Sequence, residues 1–427
     1  MDMHYEAAES SSPTGLDQAQ SGSLSQRGPV RLESVHQDPL SSLQGIDWDF
    51  ASDNRRSTTR DLHPYPAKFI PEIPSTLIRH LSQPGDTVAD VFCGSGTTLV
   101  EALRQGRNAI GVDASPLACL ISKAKTTTLT VEERDTLYRV ADDAHRRARS
   151  LAEGLFSSRT FISAGWRPDD ETLDFWFQPF VIEELAECLE LVRGVPEPAQ
   201  TVAKAAFSAI VVAVSRQDSD TRYVRRVKNI EPGDTFRRFG RSVRTALSIL
   251  EQTSSTFPSG SWSEVVHANV LDRPSIQPKS VDLVVCSPPY PNAYSYHLYH
   301  RTRMVWLGMD QPLFKKQEIG SHRKYSSKGK DAATVETFEG ELRDIMGWLA
   351  ELLPTRRYAC FVVGDSTLKG ERIDNADVIS RAGSATGFRE VYRAERVLNA
   401  KRKAFNPMIG KIKTERVLVL QREGEDK

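Results

Sequence analysis

The residues with the clearest chemical meaning are four in a row, Ser287-Pro288-Pro289-Tyr290. They follow an apolar, β-branched run at 281–285, which predicts a buried strand that stops at the prolines. Each proline fixes φ at about −65° and has no N–H group, so the strand tip is stiff and its carbonyls are free to accept hydrogen bonds. A rigid acceptor group beside a flat ring suits a planar base that carries an exocyclic amine. Taken alone, the same residues also fit an ordinary strand end followed by a Pro-Pro loop.

A second motif lies upstream, where a predicted strand at 86–92 runs into Cys93-Gly94-Ser95-Gly96-Thr97-Thr98 and a helix is expected from Leu99. The glycines permit a tight turn and close backbone approach by a ligand, and the helix N-terminus offers unpaired N–H groups. The pattern is not the dinucleotide fingerprint, because Leu99 stands where the third glycine belongs. It is not a P-loop either, because no G-K-[ST] follows.

The next predicted strand, 108–112, ends in Asp113. An acidic residue at this position of a βαβ unit can accept hydrogen bonds from ribose hydroxyls. The alternative is a local role ahead of Ser115-Pro116, where a helix can begin. Together with the glycine turn, Asp113 predicts a site for a nucleoside-like cofactor without a phosphate cradle. A later strand at 264–268 leads into Asn269 and Asp272, which can lie beside the cofactor's base.

A proline-rich segment at 63–74 precedes the glycine turn and predicts a stiff, extended loop, followed by a helix at about 75–82. This loop carries Tyr65, Lys68 and Phe69. It is either a structural strap or part of the cofactor pocket.

Residues 125–261 are predicted to be mostly helical, with helices at 131–155, 179–193, 198–215 and 236–256. They form an insertion between the second and third strands of the sheet. Within it, residues 216–244 hold nine Lys or Arg against four Asp or Glu. That stretch is either a solvated helix face with ion pairs or a surface that contacts phosphates.

The chain after Tyr290 is aromatic and basic. Four tyrosines, at 290, 294, 296 and 299, lie within ten residues. Residues 291–330 contain eight Lys or Arg but only two Asp or Glu. Rings interleaved with cations suit an unstacked base and its phosphates, so this segment is expected to form the wall of a base pocket. His297, His300 and His322 lack the spacing of a known metal site, so no metal is predicted.

The remaining strands are predicted at 358–365, 388–398 and 412–421, with helices at 334–353 and 375–385. A closing hairpin would place one antiparallel strand at or near the edge of an otherwise parallel sheet. The fold class is therefore α/β, a Rossmann-like sheet with helices on both faces, a closing β-hairpin and a mostly helical insertion.

Composition limits the partners and the compartment. The 427 residues include 56 Lys or Arg and 56 Asp or Glu, so any nucleic-acid surface must be local. The five cysteines form no C-x-x-C pair, which favours reduced thiols in a cytoplasm over disulfides or a zinc ribbon. No apolar run approaches the ~18 residues of a membrane helix, and no signal pattern is seen at the N-terminus. Residues 1–55 are expected to form a disordered or loosely attached arm.

With these motifs in this order, the chain resembles the S-adenosylmethionine-dependent amino-methyltransferases of DNA, most closely the N4-cytosine group, whose tetrapeptide is usually SPPY. The resemblance covers roughly 60–124 and 262–422. It implies a catalytic domain at 56–124 and 262–423, the insertion at 125–261, and a basic aromatic segment at 291–335 near the base pocket. The residues that it implies for the cofactor S-adenosylmethionine are Lys68, Phe69, Asp90, Phe92, Cys93, Gly94, Ser95, Gly96, Thr97, Asp113, Asn269 and Asp272, and those for catalysis are Ser287, Pro288, Pro289 and Tyr290.

The resemblance further implies methyl transfer to N4 of a cytosine that is flipped out of double-stranded DNA, in restriction–modification or phage defence, with a cognate restriction nuclease as a partner. Alternatives are N6-adenine methylation, methylation of an RNA base, and a non-catalytic nucleic-acid binder. No covalent adduct with the base is needed, so Cys286, which precedes the prolines, is interpreted as a packing residue.

Overall fold

The computed structural model describes residues 39–50, 62–153, 163–277, 280–291, 294–325, 333–368, 370–398 and 414–424. Most of the predicted arm, 1–38 and 51–55, lies outside them. Within the described residues the strands are Thr87–Asp90 (β1), Asn108–Asp113 (β2), Gln217–Ser219 (β3), Arg222–Arg225 (β4), Ser263–His267 (β5), Leu283–Cys286 (β6), Tyr358–Gly364 (β7), Ser366–Leu368 (β8), Glu371–Ile373 (β9), Phe388–Val397 (β10) and Thr414–Arg422 (β11).

Seven of these strands form one sheet in the order β10-β11-β7-β6-β1-β2-β5. The five adjacent strands β5, β2, β1, β6 and β7 are parallel to one another. Strand β11 runs antiparallel between β7 and β10. The predicted Rossmann-like sheet and its closing hairpin are thus confirmed.

The described helices are Glu72–Leu81 (α1), Thr97–Arg104 (α2), Pro116–Thr126 (α3), Val131–Ala152 (α4), Leu173–Trp176 (α5), Pro179–Arg193 (α6), Ala199–Val214 (α7), Asp234–Ser254 (α8), Tyr296–Tyr299 (α9), Arg301–Trp306 (α10), Gln311–Gln317 (α11), His322–Tyr325 (α12), Val335–Leu352 (α13) and Asn375–Ser384 (α14). Helix α1 begins earlier than predicted. Its first turn contains Pro74, a position where the missing N–H has no intrahelical partner to lose. None of the described helices is both long and apolar enough to cross a membrane.

Helices cover both faces of the sheet, so every side chain of the central strands β1 and β6 is buried. Val88 and Ala89 are neighbours on β1, and both are fully buried. Successive side chains point to opposite faces of a strand. Val88 therefore packs in the cluster that includes α1 and α2, and Ala89 in the cluster that includes α13 and α14. Because both faces of the central strands are buried, their sequences are continuous apolar runs.

The helices between β2 and β5 surround a third apolar cluster, built from α4, α6, α7 and α8. Leu62 and Trp306 belong to the same cluster, so the segments before the glycine turn and after the tetrapeptide pack against these helices. Sequence patterns missed the short antiparallel pair β3–β4 within this block.

Part of the predicted arm is attached to the sheet. Leu43 and Trp48 are buried, and the Trp48 indole Nε1 donates a hydrogen bond to the Tyr392 hydroxyl at 2.8 Å. The packed chain therefore includes residues 39–50, which the sequence had assigned to the arm.

Candidate active site

The two chemical motifs emerge at the same edge of the sheet. Strands β1 and β6 are parallel neighbours, with Ala89 opposite Val284. Their carboxyl ends lead into the glycine turn and into Ser287-Pro288-Pro289-Tyr290 respectively. From this pair the chain winds outwards in opposite directions, to β2 and to β7. Such a switch point is where open α/β sheets form ligand crevices.

The glycine turn needs its glycines for two reasons. Gly94 and Gly96 adopt φ of 49° and 77°, values that side-chain-bearing residues rarely take. In addition, a Cβ at Gly96 would lie 2.8 Å from Ser122 Oγ and 3.0 Å from Ser122 Cα on α3. Ser122 Oγ in turn donates to the Gly94 carbonyl at 2.9 Å. The turn is therefore clamped against α3 and opens directly into α2.

Asp113 ties the turn to β2. Its Oδ2 accepts from the Gly94 N–H at 2.9 Å and its Oδ1 from the Ser115 N–H at 2.8 Å. Ser115, not Asp113, caps α3, because its Oγ accepts from the Ala118 N–H at 3.3 Å. Burial raises the pKa of Asp113 to about 6. Each carboxylate oxygen keeps a second lone pair, so further donors can bind there.

The other residues predicted in this turn are mostly inside the protein. Asp90 is buried, and its Oδ1 accepts from the Phe92 N–H at 3.0 Å. Burial raises the pKa of Asp90 to about 7. Cys93 and Ser95 are also buried, whereas Thr97 is half-buried at the start of α2.

The proline-rich segment, interpreted above as either a structural strap or part of the cofactor pocket, lies over the glycine turn through Tyr65. A Cβ at Gly94 would lie 3.8 Å from Tyr65 Cε1. The Tyr65 ring stacks on Tyr296, at 5.6 Å between centroids, and on His300, at 5.1 Å. Lys68 instead donates from Nζ to the His63 carbonyl at 2.6 Å, and half-buried Phe69 packs against the core.

Asn269 and Asp272 follow β5 and differ in placement. The Ala268 N–H donates to the Asp113 carbonyl at 3.1 Å, which brings Asn269 to the side of the site formed by β2. The Asn269 side chain accepts from the Leu271 N–H at 3.2 Å. Asp272 is exposed at the end of the following 3-10 turn.

At the tip of β6, Ser287 is exposed and its Oγ donates to the Val362 carbonyl on β7 at 2.8 Å. Pro288 is buried, and Pro289 and Tyr290 are half-buried. Burial raises the pKa of the Tyr290 hydroxyl, so the ring is neutral near pH 7. Since the Ser287 proton is held by Val362, the lone pairs of this hydroxyl remain available as acceptors.

The loop at 318–321 supports the tetrapeptide and the aromatic segment from behind. A Cβ at Gly320 would lie 2.7 Å from the Tyr290 carbonyl oxygen. Buried Glu318 accepts from the Tyr296 N–H and pairs with the His297 side chain. His297 therefore pairs with Glu318, whereas His300 stacks on Tyr65. The described residues include no group of side chains that could hold a metal ion.

A buried polar cluster joins this region to the helical block. Arg303 is fully buried on α10, although it belongs to the basic segment whose cations were expected to suit the phosphates of a base. Its Nε donates to the Ser208 carbonyl on α7 at 2.9 Å, and its Nη2 pairs with Asp220. Ser208 Oγ also lies 3.0 Å from His63 Nε2. Burial, reinforced by the Arg303 charge, lowers the pKa of His63 well below its usual value.

Cys286 is fully buried in β6, and burial raises the pKa of its thiol. The five cysteines are free. A buried thiol with a raised pKa is a poor nucleophile.

Comparison with known proteins adds family evidence to this geometry. A family model described as DNA methylase matches residues 7–124. The type II methyltransferase M.MvaI of Kocuria varians is 28% identical over 280 residues, 61% of this chain and 60% of that protein. The type II methyltransferase M.BsoBI of Geobacillus stearothermophilus is 23% identical over 327 residues, 72% of this chain and 62% of that protein. M.MjaII of Methanocaldococcus jannaschii is 38% identical over 93 residues, 21% of this chain and 18% of that protein.

Over these matches the chain is similar to DNA methylases and to type II methyltransferases. The stretch that matches this family's model contains the glycine turn and Asp113, while the tetrapeptide lies beyond it. The chain spans about three fifths of the length of M.MvaI and M.BsoBI. The switch point of the sheet carries both the glycine turn and the tetrapeptide.

Proposed function

We propose that this protein transfers the methyl group of S-adenosylmethionine to N4 of cytosine in double-stranded DNA. The observation that carries the proposal is the hydrogen bond from Ser287 Oγ to the Val362 carbonyl. It leaves an exposed hydroxyl with its lone pairs free, at the switch point beside the glycine turn. An exocyclic amine needs such an acceptor, because its own hydrogens are donors.

The turn suits the cofactor. Gly94 and Gly96 have no side chains, which permits close backbone approach by a ligand, and the first turn of α2 offers N–H groups. The half-buried Asp113 carboxylate is a matching acceptor for ribose hydroxyls, and Asn269 follows the neighbouring strand. When bound there, S-adenosylmethionine supplies a methyl group already activated by its sulfonium charge.

The chain's own residues then orient and activate the amine. An aromatic amine is a weak nucleophile because its lone pair is delocalised into the ring. Ser287 Oγ and the Pro288 carbonyl accept the two N–H bonds and draw the nitrogen towards tetrahedral geometry. The stiffness of the proline pair fixes the direction of attack, so orientation supplies much of the rate.

Tyr290 provides the stacking surface for a base that has left the duplex. Its ring is neutral and half-buried, and Gly320 packs on its backbone. A ring held in this way loses little entropy on stacking. The restriction–modification role and a cognate nuclease remain part of the proposal, because the relatives named above are type II methyltransferases.

The decisive experiment incubates the protein with deuterated methyl donor and either DNA or RNA, and identifies the labelled nucleosides by mass spectrometry. We expect labelled N4-methylcytosine from DNA. Ser287→Ala should lower kcat by about a hundredfold, the scale of one hydrogen bond made in a transition state. Ser275→Ala, an exposed serine elsewhere, is the matched control.

Labelled N6-methyladenine would replace the cytosine assignment by the adenine one, and label in RNA alone would overturn the DNA proposal. Full activity in both Ser287→Ala and Tyr290→Ala would contradict the mechanism.

A further inference from the structure

The antiparallel pair β3–β4, here called the ribbon, has one outward face of alternating chemistry. Arg222 and Val224 share this face, because alternate side chains of a strand point the same way. Arg226 follows the strand directly and pairs with Asp218, as Arg222 does. The side chains of Arg222 and Arg226 are 62% and 72% exposed, and Val224 is 55% exposed. Tyr223 points inwards and packs on Trp176, with 4.5 Å between ring centroids. The ribbon is thus fixed on its inner face and open on its outer one.

The outer face has more positive than negative charge. Arg222 and Arg226 share one carboxylate, Asp218, at 3.4 Å and 3.2 Å. The other ribbon carboxylate, Asp220, is held by buried Arg303. Each exposed guanidinium has five N–H donors and uses only part of them on Asp218. Free donors on a planar fork match phosphate oxygens.

Two arginines further along the basic stretch behave differently. Arg237 on α8 pairs with Asp234 at 2.7 Å, and Arg244 pairs with Asp142 on α4. These are ion pairs between or along helices, as on a solvated helix face. The ion-pair interpretation of residues 216–244 therefore applies to Arg237 and Arg244, and the phosphate interpretation is tested on the ribbon.

The ribbon is tied to the wall of the candidate base pocket. Gln217 donates from Nε2 to the Tyr299 carbonyl at 3.1 Å, and its Oε1 accepts from Thr302 Oγ1 at 3.0 Å. Asp220, in the turn of the ribbon, binds Arg303. Tyr299, Thr302 and Arg303 lie nine to thirteen residues after the tetrapeptide. A duplex that presents a base to Ser287 therefore brings its flanking backbone towards a rigidly attached basic surface.

We infer that the outer face of the ribbon contacts the phosphates of duplex DNA next to the flipped base. This inference rests on the proposed function and names the element that holds the substrate. Arg222 and Arg226 bind phosphate oxygens, and Val224 between them contacts the sugars. Phosphate contacts fix the register of the protein on the duplex but do not read its sequence.

The test compares Arg222→Gln/Arg226→Gln with the wild-type protein in binding short duplexes of random sequence over a range of salt concentrations. Losing two phosphate contacts should raise Kd about tenfold and lower the slope of log Kd against log salt by about 1.8, at ~0.9 per contact. The KM for DNA should rise, whereas kcat and the Kd for S-adenosylmethionine should stay unchanged. The matched control is Arg146→Gln/Arg343→Gln, two exposed arginines that pair with acids on their own helices.

An unchanged affinity and salt slope in the ribbon variant, with DNA methylation intact in the wild type, would overturn the ribbon inference alone. A loss of affinity for RNA but not for DNA would overturn it as well. A wild-type protein that methylates no DNA, yet binds duplexes through the ribbon, would instead overturn the proposed function.

Discussion

The two sides of the candidate site are held in different ways. On the sheet side, backbone groups do the positioning: Asp113 binds two N–H groups, Gly96 fits against Ser122, and Ser287 binds the Val362 carbonyl. On the opposite side, long side chains do it. Tyr65 stacks on His300, and Arg303 spans from Ser208 to Asp220.

Because of this difference, the two sides of the site should be sensitive to different kinds of substitution. The sheet side depends on the shape of a few residues near each other in sequence or in adjacent strands. The opposite side depends on charges and rings that are buried together from segments more than eighty residues apart. Steric changes should therefore be decisive on the first side, and electrostatic changes on the second.

The largest effect is expected from Gly96→Ala. The new Cβ would meet Ser122 at 2.8 Å and 3.0 Å with φ at 77°, so α3 must move while the residue stays strained. We expect a loss of about 2–5 kcal/mol in the free energy of unfolding, from the left-handed backbone and overpacking together. Binding of S-adenosylmethionine should be lost. Urea denaturation and calorimetric titration measure the two effects.

Gly85→Ala is the control, because Gly85 has φ of 90° and nothing within 4 Å of its Cβ position. It should lose only the backbone term of about 1–2 kcal/mol. Equal losses in the two variants would show that contact with Ser122 does not shape the turn.

The next effect tests the electrostatic side with two carboxylates of the same ribbon. Asp220→Ala removes the carboxylate partner of a fully buried guanidinium, and we expect a loss of about 2–4 kcal/mol in the free energy of unfolding. Asp218→Ala removes the partner of two exposed arginines, and the expected loss is about 0–1 kcal/mol. Chemical denaturation of both variants measures the difference. Similar losses would mean that burial of Arg303 does not decide the cost.

The sheet was predictable because its signals are local. Apolar runs gave the central strands, whose two faces are both buried, and the chain order of strands and helices gave the parallel class. The ribbon was missed because Gln217–Ser219 and Arg222–Arg225 are short and mostly polar, so neither has the apolar alternation of a half-buried strand. Its stability comes from partners on α9 and α10, which no local pattern reports.

The candidate site divides in the same way. Ser287, Gly94 and Asp113 were found because each stands at a strand end with a recognisable neighbour. Arg303 was counted among the cations expected to suit phosphates, because composition cannot distinguish a buried arginine from a surface one. Tyr65 was seen in the proline-rich loop, but its place over Gly94 depends on stacking with His300, a residue 235 positions away.

The smallest effect concerns the titration of that stacked histidine. His300 is fully buried, and its Nδ1 lies 3.4 Å from Arg303 Nη1. Only a neutral ring can accept a hydrogen bond from the guanidinium at this nitrogen. Burial, reinforced by Arg303, lowers its pKa well below the usual value. Above pH ~6.5 the ring is neutral in both the folded and the unfolded chain. Below that pH only the unfolded chain takes up the proton, so falling pH destabilises the fold.

His300→Phe keeps a ring for stacking and removes this proton. The wild type should therefore lose about 1 kcal/mol more than the variant over the first pH unit below ~6.5. Asp90 and Asp113, whose raised pKa values act in the opposite direction, are present in both proteins and cancel in the difference. Urea denaturation between pH 5.5 and 8 measures the two slopes. Parallel slopes would mean that His300 takes up its proton in the folded protein. The side of the site opposite the sheet would then depend less on charge than the contacts of Arg303 imply.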